Sequence, residues 1–100
     1  QLADAMPHFV ITSGGDSIDA DGYDTVNFKM VDSDGSTINQ ATDIYLEHSG
    51  GYLPMHRIHI TDGTGSFKVG ALGMTSGDIF KVKLGFRNYT GIMDVDYIVN

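Results

Sequence analysis

One hundred residues with 13 Asp+Glu, 6 Lys+Arg and neither Cys nor Trp set the first limits. The length suits one core rather than two, the net charge of −7 opposes binding to nucleic-acid phosphates, and no apolar run reaches the roughly 20 residues of a membrane-spanning helix. Absence of Cys removes disulfide scaffolds, thiol catalysis and Cys-ligated zinc together.

Gln1 to Pro7 reads as a linker, and residues 8–100 as a single domain. Period-two alternation then recurs along the chain, while helical periodicity holds almost nowhere beyond two turns. The predicted strands are, in order, His8 to Thr12, Thr25 to Met30, Asp43 to His48, Arg57 to Thr61, Ser66 to Leu72, Ile79 to Phe86 and Met93 to Val99. In the second, Val26, Phe28 and Met30 share one face; in the sixth, Phe80, Val82, Leu84 and Phe86 face away from Lys81 and Lys83. Gly, Asp and Ser clusters punctuate these strands at Ser13 to Asp16, Asp32 to Gly35, Ser49 to Gly51, Asp62 to Gly65 and Ser76 to Asp78. Seven short strands spaced this way predict an all-β fold, a seven-stranded antiparallel sandwich. Its expected core is Phe28, Leu46, Ile58, Phe67, Val69, Phe80, Val82, Leu84 and Val95.

The turn segments also carry a family likeness. Asp21-Gly22-Tyr23-Asp24-Thr25-Val26 leading into Val31-Asp32-Ser33-Asp34-Gly35 resembles the start of a bacterial immunoglobulin-like domain of the invasin/intimin type. Thr61-Asp62-Gly63-Thr64-Gly65-Ser66-Phe67 is similar to that family's later turn, before a strand ending at Leu72. Ser76-Gly77-Asp78-Ile79-Phe80-Lys81-Val82 is similar to its turn before the penultimate strand. Ser36-Thr37-Ile38 stands where the family often has Pro-Val after the first turn. The resemblance spans roughly residues 9–99 and implies an immunoglobulin-like sandwich, here without an inter-sheet disulfide or a buried Trp. It further implies a non-catalytic structural and interaction module, for adhesion or display. Such modules belong to larger bacteriophage virion proteins or bacterial surface proteins and sit on the virion or cell surface. A chain without Met at position 1 or a signal peptide reads as a piece of something longer.

Acids dominate the first fifty residues, with nine against one base, and Asp19-Ala20-Asp21-Gly22-Tyr23-Asp24 alternates carboxylates around a glycine. Calcium takes six to eight hard oxygens, so Asp19, Asp21 and Asp24 are the candidate ligands, pooled with Asp32 and Asp34 if the two loops meet. No bidentate acid stands at the twelfth position, which is Met30. The competing reading is that Asp-Gly pairs build ordinary turns, and no cofactor besides calcium is expected. His56 and His59 fall on opposite faces of one strand, so zinc would need His48 or His8 from elsewhere.

No serine lies in a Gly-x-Ser-x-Gly elbow, and carboxylates at hairpin tips lack the burial an acid–base pair needs, so no enzyme is expected. Tyr52, Leu53 and Met55 follow a Gly-Gly turn and form the preferred contact site, against the equal reading that they cap the core. Expected partners are neighbouring domains of the same chain, other virion or surface proteins, and a host-surface glycan as the rival ligand. No nucleic acid or membrane partner is expected. Lys81, Lys83 and Lys68 are expected to form a modest basic patch on outward strand faces.

Overall fold

Buried and exposed positions alternate along the strands, as the pleat demands of a sheet with one covered face. The computed structural model describes residues 8–87 and 92–100; the linker expected at residues 1–7 lies outside the described residues. In chain order the strands are β1 (His8–Ser13), β2 (Asp16–Ile18), β3 (Tyr23–Val31), β4 (Thr42–His48), β5 (Arg57–Ile60), β6 (Thr64–Gly70), β7 (Ile79–Phe86) and β8 (Met93–Val99). One sheet has the order β1-β3-β6 and the other β2-β8-β7-β4-β5. Among the described residues there is no helix.

The expected all-β sandwich stands, corrected in two respects. Among the described residues eight strands form instead of seven, and the larger sheet is mixed, because β2 pairs with β8 in parallel. The cause lies in the first turn. Gly14 and Gly15 both take positive φ (87° and 92°), and Asp16 follows at 73°. The β1 register against β3 slips between Ile11 and Ser13, and the chain then leaves that sheet for the edge of the other.

Every residue of the expected core is buried. Aromatic pairs do much of the packing: Phe9 meets Phe28 edge-on at 5.6 Å and stacks on Phe86 at 4.8 Å, while Phe80 stacks on Tyr97 at 5.0 Å. Each such pair adds about 0.5–1.5 kcal/mol beyond its buried area. The strand registers also sort the connections by end. The β2–β3, β4–β5 and β6–β7 connections gather at the end where β8 finishes, and the β3–β4 and β5–β6 connections at the end where β1 begins.

Candidate functional site

Both sets of residues singled out in the sequence sit at or beside the β2–β3 end, but neither set stays together. Asp19 Oδ1 accepts a 3.3 Å hydrogen bond from the Asn100 side chain. Asp21, at φ 61°, accepts one from the Gly73 amide at 2.9 Å. Asp24 turns inward, where one carboxylate oxygen accepts from the Tyr97 hydroxyl at 2.7 Å and from the Gly15 amide at 2.8 Å. Three carboxylates close in sequence therefore serve four different partners. Among the described residues no group of three or more His, Cys, Asp or Glu could hold a metal ion. Pooling with the second acidic loop is ruled out by distance along β3, which separates the two loops by its full length. In that loop Asp32 Oδ1 instead accepts from the amides of Asp34 and Ser36 at 2.9 and 3.1 Å, a side-chain-capped turn.

The Asp24–Tyr97 bond links the sheets. Tyr97 stands on the inner face of β8 and is buried, and its hydroxyl reaches across to β3. Burial pushes the Tyr97 phenol well above its ordinary range, and the Asp24 carboxylate beside it adds to the rise. In the β5–β6 turn, Thr64 donates both its hydroxyl and its amide to Asp62 Oδ1, at 2.7 and 3.1 Å, which holds that exposed carboxyl below its usual value.

The Tyr52 segment divides. Leu53 is 3% exposed and belongs to the core, whereas Tyr52 and Met55 are about half exposed. Tyr52 bridges Gly70 through two reciprocal backbone bonds of 2.8 Å, and Gly70 is paired on its other side with Tyr23. This row of Tyr23, Gly70 and Tyr52 was not legible as a unit, because its members lie far apart in sequence. The only signal was that two tyrosines stood beside loops.

The expected basic patch is divided and neutralised. Lys68 lies on the smaller sheet. Lys81 faces Asp96 and Lys83 faces Asp94 across the β7–β8 ladder, with Glu47 opposite Lys83 on the other side. The Lys81 ammonium is 3.5 Å from Asp94. Exposed pairs of this kind contribute about 0.2–1 kcal/mol each. His59 pairs with Asp43 at 2.7 Å on the outer face of the larger sheet. His48 and His56 bring their rings to 5.8 Å, and His48 Nδ1 lies 2.9 Å from the Gly50 carbonyl oxygen. Beside them a surface depression of about 280 Å³ is lined by Tyr45, Glu47, His56, Lys83 and Ile92 among others.

No family model matches this chain, and no curated protein is found similar to it.

Proposed function

We propose that the chain is an immunoglobulin-like, non-catalytic module that spaces and displays parts of a larger bacteriophage virion protein or bacterial surface protein. Its strand arrangement supports the immunoglobulin-like reading. The first strand is split between the sheets; β3 and β6 pair in one sheet, and β8, β7 and β4 run side by side in the other. In immunoglobulin lettering this is A-B-E against A′-G-F-C-C′. The observation that carries the functional reading is the placement of the two ends. β1 enters at one end of the sandwich and β8 leaves at the other, so copies joined head to tail extend rather than fold back.

Small-angle X-ray scattering on two copies fused head to tail tests the arrangement. A maximum dimension close to twice that of one copy is the expected result, and a value near that of one copy overturns it. Immunogold labelling with an antibody raised against the chain tests the setting. Intact particles or cells should be decorated, and decoration only after disruption removes the surface role.

A further inference from the structure

Tyr23, Gly70 and Tyr52 stand side by side on three adjacent backbone segments. Directly opposed residues point to the same face of a sheet. Val69 and Leu53, the neighbours in sequence, are buried, so the row lies on the outer face of the β1-β3-β6 sheet. Gly70 lets the first ring lean across it, since a Cβ there would come within 2.8 Å of Tyr23 Cε1 and 3.1 Å of Cδ1. The glycine is thereby buried, yet Tyr23 remains 54% exposed and Tyr52 46%. The Lys68 ammonium lies over the Tyr23 ring, 5.9 Å from its centre.

We propose that this row is a glycan-binding platform that stacks the pyranose rings of a neutral oligosaccharide. Aromatic rings offer a flat surface to the C–H face of a sugar ring, while the tyrosine hydroxyls and Lys68 supply hydrogen-bonding groups for its hydroxyls. Nucleobases also stack on such rings, but their phosphates require a positive groove, and this chain carries a net charge of −7. A protein partner would seek an aromatic anchor set among apolar neighbours in a packed site. Here a glycine and a lysine occupy the adjoining positions instead. The inner carboxylate, Asp24, plays no part, because its oxygen is held by Tyr97 and Gly15.

The test is a titration of the isotope-labelled full chain with cellohexaose, chitohexaose and maltoheptaose to millimolar concentration, followed by amide NMR. With at least one of the three, shifts should concentrate at Tyr23, Lys68, Gly70 and Tyr52. Tyr23→Ala and Tyr52→Ala should each weaken that binding roughly tenfold, and Tyr45→Ala, on the other sheet, should not. Tyr23→Phe and Tyr52→Phe keep the ring faces and should retain most of the binding. Absence of shifts with all three sugars, shifts centred elsewhere, or equal loss in the Phe and Ala variants overturns the platform. None of these outcomes bears on the spacing role, which the scattering experiment reads separately.

Discussion

At the scale of single residues, the Asp24–Tyr97 bond is the contact with the most to lose. Tyr97 donates to a carboxylate that otherwise receives the Gly15 amide, and removing the hydroxyl leaves that half-buried acid short of one donor. Tyr97→Phe is expected to cost about 1.5–3 kcal/mol in urea unfolding. The pH dependence has a definite sign. The native phenol titrates above its unfolded value, which is about 10, so above that pH the native state holds a proton that the unfolded chain releases. Stability from this group is therefore complete below about pH 9 and lost as the pH climbs past 10. Unfolding curves between pH 8 and 11 should fall more steeply for the native chain than for Tyr97→Phe; parallel curves would show that the phenol titrates normally. The same geometry bears on calcium. With Asp19, Asp21 and Asp24 each bonded elsewhere, melting midpoints in calcium and in chelator should coincide. A higher midpoint in calcium would mean the loop rearranges to gather its acids.

Among the elements, β2 depends most on its approach. A Cβ on Gly14 would stand 2.2 Å from the Thr25 carbonyl oxygen, at a φ of 87° that L-residues avoid. Gly14→Ala is expected to destabilise by at least about 1–3 kcal/mol, the strain of the backbone alone. Gly35→Ala, at φ 85° with nothing within 4 Å, should cost only about 1 kcal/mol. Hydrogen exchange localises the effect: the Asn100 amide, which donates to Ile18 at 2.8 Å, should exchange faster in Gly14→Ala if β2 is displaced. This strand also marks where sequence reading stops. Strands such as β7 and β8 announce themselves through four or three inward apolar residues at period two, and their bounds match the expected ones. Asp16-Ser17-Ile18 has one inward residue and no room for a period, so only tertiary pairing with β8 makes it a strand. The candidate site was legible to the same extent. Asp21 and Asp24 could be seen as carboxylates near a turn, but Asp24's partner lies 73 residues away, and alternation does not say which opposite strand a side chain reaches.

For the molecule as a whole, packing has to carry the stability, since a chain without Cys has no disulfide to hold the sheets together. One continuous cluster runs between them, with Phe28 near its middle and 1% exposed. Its ring lies 5.6 Å from Phe9 on β1 and 6.1 Å from Phe67 on β6, so one side chain ties together all three strands of the smaller sheet. Phe28→Ala would leave a cavity that neighbours on both sides are too constrained to fill, at a cost of about 3–5 kcal/mol. A domain of this size has about 5–15 kcal/mol in total, and each kcal/mol corresponds to roughly 4–8 °C in Tm. Calorimetry should therefore show Tm lowered by at least about 12 °C, or no cooperative transition at all. The exposed Tyr52→Ala variant, by contrast, should melt within a few degrees of the native chain, because Tyr52 joins the fold through backbone bonds that alanine keeps. A small drop for Phe28→Ala would mean that the two sheets are held chiefly by their polar links, with the Asp24–Tyr97 bond first among them.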